Sequence, residues 1–370
     1  MSLDISVRKL GDGENVVEAF KQGIKVSWLY LLDLKLHYGS SVIHASGVGG
    51  VYTPREFRGL GYSASTLNYA IHYVKELGYP LSALFGIQEY YHRFGFATFM
   101  GEHTVTIHLR NASRIRGGRF EVEVSEDSAF QSMRIADIYE RINAAWPGAK
   151  VRSPGDWKGF RKGVAWEHSA KPLVIKSSGE VVAYAAIERW PSPEEFLVAE
   201  IGALDHDPRL YRALLQSFYS IALEEKKSHL TVHVPPDHPF ADVAKAYGAT
   251  LTSSYSWSGG GMARVTSLKK VLEQIIPELE HRSKGTNGDF TLEVESEAVT
   301  IRVRNESVKV EEGSLSTNLV RLGPGDAAQL IFGYRNPFEL LSSVETRGQV
   351  GLCATLFPKS TPYVWQPDRW

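Results

Sequence analysis

The sequence predicts an α+β protein of more than one domain, and three observations predict it. Its 370 residues exceed what one hydrophobic core usually organises, since domains run to roughly 100–200 residues. The order strand, helix, strand occurs twice along the chain, which is the signature of parallel pairing through a crossover. Two polar, glycine-bearing breaks, at 110–118 and 258–261, divide the chain into three blocks: 1–113, 114–261 and 262–370.

In the first block, residues 24–36 (IKVSWLYLLDLKL) alternate as a strand does, and 42–53 give a second strand. Residues 63–77 have helical spacing. Gly78 stands at the expected left-handed C-terminal position and Pro80 just beyond, so the helix should stop there. Residues 81–85 and 104–109 read as further strands. The second block repeats this order. A helix at 136–145 precedes a hairpin of 172–175 and 181–188 turning at Ser178-Gly179, then a strand at 198–203. A long amphipathic helix at 210–226, a strand at 230–234 and a helix at 240–247 ended by Gly248 follow. The likeness of order suggests a diverged duplicate. Asp205-His206-Asp207-Pro208 stands before its long helix, where the first block has glycines. In the third block Ser267 should cap a helix over 268–279, broken near Pro277. Short strands at 290–294, 298–303 and 307–310 and a helix at 326–332 make this block a small α+β domain.

Composition narrows the function. Hydrophobic residues at 43% and charged residues at 22% describe a chain that buries real cores. Lys+Arg number 41 against 42 Asp+Glu, a balance that argues against a dedicated nucleic-acid binder. Cys353 is the sole cysteine, so no disulfide framework or cysteine zinc cluster is expected, and a reducing, cytoplasmic setting fits. The segment from Met1 to Lys9 carries Asp4, Arg8 and Lys9 and reads as no signal peptide. No uncharged apolar run approaches the ~20 residues of a membrane span. His229, His233 and His238 lack a matching carboxylate spacing, so no metal is expected.

The chemistry concentrates in Val51-Tyr52-Thr53-Pro54-Arg55-Glu56-Phe57-Arg58-Gly59-Leu60-Gly61-Tyr62-Ser63-Ala64. A strand ends, a turn rich in arginine and glycine follows, and a helix begins. Helix N-termini present unpaired N–H groups, which form a ready anion site. Glycines let a phosphate approach the backbone, and Arg58 adds charge. The spacing is neither that of a Walker loop nor that of a dinucleotide fingerprint. By itself the motif also reads as a tight turn with a solvated arginine.

Arg58-Gly59-Leu60-Gly61-Tyr62-Ser63 resembles the Arg/Gln-x-x-Gly-x-Gly/Ala pyrophosphate loop of the GCN5-related N-acetyltransferases (GNATs), with Ser63 in place of the last small residue. Gly78-Tyr79-Pro80-Leu81-Ser82-Ala83-Leu84-Phe85, followed by Tyr90-Tyr91-His92-Arg93-Phe94-Gly95-Phe96, resembles the corresponding region of the enhanced-intracellular-survival (Eis) type. That resemblance implies an N-terminal GNAT domain, a degenerate second GNAT-like domain and a C-terminal sterol-carrier-like domain, in the order of the three blocks. It implies acetyl-CoA as co-substrate, held by strand residues Val51, Tyr52 and Thr53 and by the loop from Arg58 through Gly59, Leu60, Gly61, Tyr62 and Ser63 to Ala64. It implies Tyr91 as general acid, a small amine acceptor, and assembly into a homo-oligomer. About fifty residues precede Val51, fewer than the family usually has, so its first helices should be shortened or missing.

The chain ends in Pro367-Asp368-Arg369-Trp370 after an apolar, proline-punctuated run at 352–365. Termini usually fray, so a large aromatic end suggests an anchored one. By the same resemblance the α-carboxylate of Trp370 would be the general base; if the terminus is only an anchor, Glu89 and His92 are next in line, though the family has no equivalent of His92. The acceptor stays open between an aminoglycoside-like amine, a polyamine and a protein lysine. A non-catalytic acyl-CoA or lipid binder with the same fold is the alternative reading.

Overall fold

A computed structural model describes residues 3–11, 13–125, 133–144, 146–157, 170–188 and 192–370. The first unit opens with four antiparallel strands, β1 (Asp4–Gly11), β2 (Glu14–Lys21), β3 (Ile24–Tyr38) and β4 (Ser41–Tyr52). Helix α1 (Tyr62–Glu76) then crosses to β5 (Leu81–Gly86), which pairs parallel with β4, and β6 (Ala97–Thr98) follows. Among the described residues no α-helix precedes α1; strands β1 and β2 occupy 4–21, where the sequence marked no element. Helix α1 buries Leu67, Ala70 and Val74 on one stripe against Val17, Leu29, Leu31 and Val48 of the sheet. It stops where expected, with Gly78 at φ +85°.

The second unit contains β7 (Glu102–His108), α2 (Leu109–Ala112), β8 (Glu121–Val124), α3 (Met133–Asn143), β9 (Lys171–Ser177), β10 (Glu180–Ile187) and β11 (Glu195–Ala203). It continues with α4 (Pro208–Glu224), β12 (His229–Val232), α5 (Pro239–Lys245) and β13 (Ala249–Ser254). The expected helix at 136–145 is α3, and residue 145 lies outside the described residues. The β9–β10 hairpin turns at Ser178 and Gly179, both at positive φ. Strands β11 and β12 pair parallel across α4, as β4 and β5 do across α1.

Strand β14 (Gly260–Val265) does not open the third unit. It returns to the first sheet, whose order is β1-β2-β3-β4-β5-β14-β6. Conversely β7, which falls within 1–113, lies in the second sheet, of order β13-β7-β12-β11-β10-β9-β8. Each sheet thus places beside its parallel pair an antiparallel strand drawn from beyond its own block. The breaks at 110–118 and 258–261 mark where the chain is polar, not where it changes sheets.

The third unit holds α6 (Leu268–Gln274), α7 (Ile276–Arg282), β15 (Gly288–Val294), β16 (Glu297–Arg304), β17 (Ser307–Glu312), β18 (Leu319–Leu322), α8 (Pro324–Ile331), α9 (Pro337–Ser342), β19 (Glu345–Arg347) and α10 (Gly351–Leu356). The Ser267 side chain does not cap α6: the Glu297 carboxylate accepts the Leu268 N–H at 2.8 Å instead. The break comes at Ile275, and Pro277 sits in the first turn of α7, where its missing N–H costs nothing. The unit docks on the β3–β4 turn. Glu278 accepts the Ser40 N–H at 2.8 Å, and the Tyr38 hydroxyl donates to the Ile331 carbonyl at 2.8 Å. One continuous apolar core runs through all three units, while a second, smaller one lies under α1.

Candidate active site

Strands β4 and β5 pair from Ala45↔Leu81 to Val48↔Leu84 and then part. A bulge assists: Tyr30 opposes Gly49 while Trp28 opposes Tyr52, so β4 carries an extra residue there. Gly50 takes up the kink at φ +54°, where a side chain would strike the Tyr30 ring. The parted strand ends leave backbone groups without a sheet partner, which a strand-like amide chain could satisfy.

Beyond Tyr52 the chain makes one 3-10 turn at Arg55–Phe57 and enters α1 through Gly59 and Gly61, at φ +78° and +81°. Such angles favour glycine over any L side chain. The first intrahelical bond is Ser65 N–H to the Gly61 carbonyl at 3.0 Å, so the N–H groups of Tyr62, Ser63 and Ala64 lie ahead of it. A cleft of about 580 Å³ opens here, between this loop, the end of β4 and the segment after β5. Val51, Tyr52, Thr53, Arg58, Gly59, Gly61, Tyr62, Ser63 and Ala64 line it; Leu60 does not and is 60% exposed. The Arg58 Nε donates to the Thr53 carbonyl at 3.0 Å, which ties the loop to the strand that precedes it.

Tyr91 forms the cleft's inner wall. It starts a 3-10 turn at Tyr91–Phe94, and its ring lies against Gly86: a Cβ there would come within 2.4 Å of it. The neighbouring Tyr90 meets it edge-on at 5.0 Å and donates its hydroxyl to Ser63 Oγ at 2.8 Å, joining this wall to the helix N-terminus. Burial, with a smaller push from Tyr90, raises the Tyr91 phenol to about 12. The phenol therefore stays protonated at neutral pH.

Trp370 lies on the other face of the same strand ends. Its indole N–H reaches the Ala83 carbonyl at 3.3 Å, and its ring meets Phe85 at 5.1 Å. A Cβ on Gly47 would come within 2.9 Å of the indole nitrogen, and one on Gly49 would lie 3.7 Å from the Trp370 carbonyl carbon. Successive strand residues face opposite ways. Ala83 and Phe85 accordingly belong with the large core and Trp370, whereas Leu84 belongs with the core under α1 and Tyr91. Tyr91 and Trp370 thus approach the parting of β4 and β5 from opposite sides. A second cavity of about 630 Å³ adjoins Trp370, lined also by Glu14, Leu32, Asp33, Lys150 and Arg152.

His92 and Glu89 are not among the cleft's lining residues. The His92 Nδ1 lies 3.1 Å from Ser258 Oγ and its ring lies 5.2 Å from Trp257; Glu89 donates its N–H to the same hydroxyl at 3.2 Å. Phe57, Ile87, Tyr90 and Arg93 line the cleft without having been singled out in the sequence. Phe57, Tyr90 and Arg93 lie within the two motifs, so adjacency alone points to them; Ile87 carries no local mark. Among the described residues, no group of three or more histidine, cysteine or carboxylate side chains is spaced to hold a metal, and no helix is long and apolar enough to cross a membrane.

Residues 4–99 match the profile of an acetyltransferase (GNAT) domain. No curated protein matches the chain by sequence. Solved structures do match its fold. A probable N-acyltransferase from Enterococcus faecalis is similar at TM-score 0.77 and 16% identity, over 97% of this chain and 90% of that one. A GCN5-related N-acetyltransferase from Anabaena variabilis is similar at TM-score 0.75 and 14% identity, over 96% and 89%. Eis1 from Mycobacterium abscessus is similar at TM-score 0.68 and 18% identity, over 96% and 90%.

Proposed function

We propose, for a chain whose residues 4–99 are a GNAT acetyltransferase domain, that it transfers the acetyl group of acetyl-CoA directly to a primary amine. The observation that carries this reading is the parting of β4 and β5, with a phosphate-sized loop at its mouth, a phenol on one face and Trp370 on the other. The loop glycines fit the co-substrate: a Cβ on Gly59 or Gly61 would meet nothing within 4 Å, so the backbone there faces open space. Val51, Tyr52 and Thr53 would hydrogen-bond the pantetheine amides. Arg58 and the N–H groups at the start of α1 would hold the pyrophosphate.

The acceptor would enter from the Trp370 side as an ammonium ion, and the Trp370 α-carboxylate would take one proton from it. The freed nitrogen lone pair then forms the C–N bond at the thioester carbon. On collapse the C–S bond breaks, and the sulfur leaves with its electron pair and the Tyr91 proton. The nitrogen's second proton makes good that loss through solvent, so one proton is released per amide formed. A phenol near 12 is a weak acid for a thiolate whose ordinary value is about 8.5. The same dry pocket raises the basicity of the departing thiolate, which narrows the gap.

Acceptors of aminoglycoside, polyamine and lysine type all meet this requirement, and the second cavity, with Glu14, Asp33 and Asp156 against Lys35, Lys150 and Arg152, favours none of them by its charge. The third unit, with its own five-stranded sheet, reads as the sterol-carrier-like module that brings the tail to the first unit. The test is a thiol-release assay with acetyl-CoA and a panel of those three amine classes. Release that depends on one class supports the transferase; tight acetyl-CoA binding with no release beyond buffer hydrolysis leaves a binding protein.

A further inference from the structure

The second unit repeats the geometry of the first. Strands β11 and β12 pair from Glu195↔His229 to Val198↔Val232 and then part, as β4 and β5 do. Where the first unit leaves its helix N-terminus open, the second closes it. Asp207 caps α4, accepting the Arg209 N–H at 2.8 Å, so a carboxylate stands where a phosphate would. The parted strand ends are covered by the chain's own tail. The Tyr363 hydroxyl donates to the His233 carbonyl at 2.9 Å, directly beyond β12. The Trp365 indole donates to Asn143 Oδ1 at 2.7 Å and meets the His238 ring at 5.9 Å.

The tail is then gripped by a buried arginine. Arg152 donates to both oxygens of Asp368, each at 2.8 Å, and holds Glu200 of β11 with the rest of its fork. Its guanidinium lies over the Tyr139 ring at 3.8 Å and over the Trp157 ring at 4.5 Å. The Arg152, Glu200 and Asp368 side chains are 2%, 0% and 3% exposed. A bidentate guanidinium held between two carboxylates and two rings has little freedom, and Asp368 stands two residues from Trp370.

We infer that the second unit serves as the dock for the tail and that Arg152 is a positioning residue, holding Asp368 so that Trp370 reaches the parting of β4 and β5. This rests on the reading that Trp370 serves acetyl transfer. Proton transfer needs hydrogen-bond reach, and a misplacement of about 1 Å can cost on the order of 100-fold in rate.

The test uses the full chain with Asp368→Asn, which keeps the side-chain shape and leaves Arg152 its bond to Glu200. Arg152→Lys is the second variant: it keeps the charge and loses the fork. Acetyl-CoA affinity, measured by calorimetry, should stay within about twofold, because the cleft shares no residue with the clamp. Turnover at pH 7 should fall roughly 10- to 100-fold. The deficit should shrink as the pH rises past the acceptor amine's own pKa, about 10.4 for an amine of lysine type, because the neutral form then predominates and needs no base. A deficit that is independent of pH, or that is matched by lost acetyl-CoA affinity, would mark Arg152 as merely structural and overturn the inference. A chain extended by one glycine after Trp370 separates the two readings. If the extended chain loses turnover while both clamp variants keep it, positioning by Arg152 fails and the role of Trp370 stands. If the extended chain keeps wild-type turnover, the role of Trp370 fails and the inference falls with it.

Discussion

Tyr91 packs in the cleft wall and is the proposed acid, and substitution separates the two. Tyr91→Phe retains the ring against Gly86 and Phe96, so the melting temperature should hardly move, whereas losing a positioned acid typically costs 10²–10⁴-fold in rate. A mutant turning over within a few-fold of wild type would return Tyr91 to a packing role. The pH behaviour has a definite sign. The acid works while the phenol is protonated, and with its pKa pushed up to about 12 it stays protonated through the neutral and mildly alkaline range. Any alkaline fall in turnover below about pH 11 must then come from another group. Tyr91 was marked through the resemblance of its segment to the Eis type, and the fold sets it in the lining of the cleft. Arg152 was not, because its partners Glu200 and Asp368 are far from it along the chain and only the fold brings them together.

At the level of elements, the loop and α1 were readable because their work is local: a glycine pair at positive φ, a polar helix start, a glycine stop. Gly61→Glu should abolish the thermal stabilisation conferred by acetyl-CoA, since it strains the backbone and sets a negative charge where the proposal seats the pyrophosphate. An unchanged shift would remove the phosphate role from this loop. Strand β14 was illegible for the opposite reason. Gly259, Gly260 and Gly261 read as a chain break, yet Gly261 lies in β14 and serves close approach: a Cβ there would come within 2.4 Å of Met100. Strands β1 and β2 were missed because β1 is an edge strand and mostly exposed, so its apolar alternation is faint. The cap of α5 makes a further prediction. His238 Nδ1 accepts the Phe240 N–H, and burial, then the charge of His206, presses the ring's pKa down to about 3. The unfolded chain, titrating near 6.5, takes up the proton first. Stability is therefore complete above about pH 6.5 and declines as the pH falls toward 3. His238→Asn can still cap but cannot titrate, so it should lose less melting temperature between pH 7 and 4.5 than wild type; equal losses would exonerate His238.

On the scale of the molecule, the three blocks of the sequence correspond to three sheets, but two strands lie in the sheet of another block. Local patterns identify a strand and cannot say which sheet it joins, which is why 102–108 and 260–265 were misplaced. A fragment of residues 1–113 lacks β14 and so presents the inner edge of β5 and the apolar residues Leu81, Ala83 and Leu84 to water. It should be insoluble or lack a cooperative melt, while the full chain melts cooperatively; a well-dispersed NMR spectrum from the fragment would refute this. The exchange of β7 and β14 also governs the order of events during synthesis. A nascent chain emerges N-terminus first, so the edge of β5 stays uncovered until Val265 has left the ribosome, and by then the strands of the second sheet are already out. A product that stops before β14, however much of the rest of the first unit it contains, cannot cover that edge. Termination before Val265 therefore yields a chain for chaperones and proteases rather than a folded first unit.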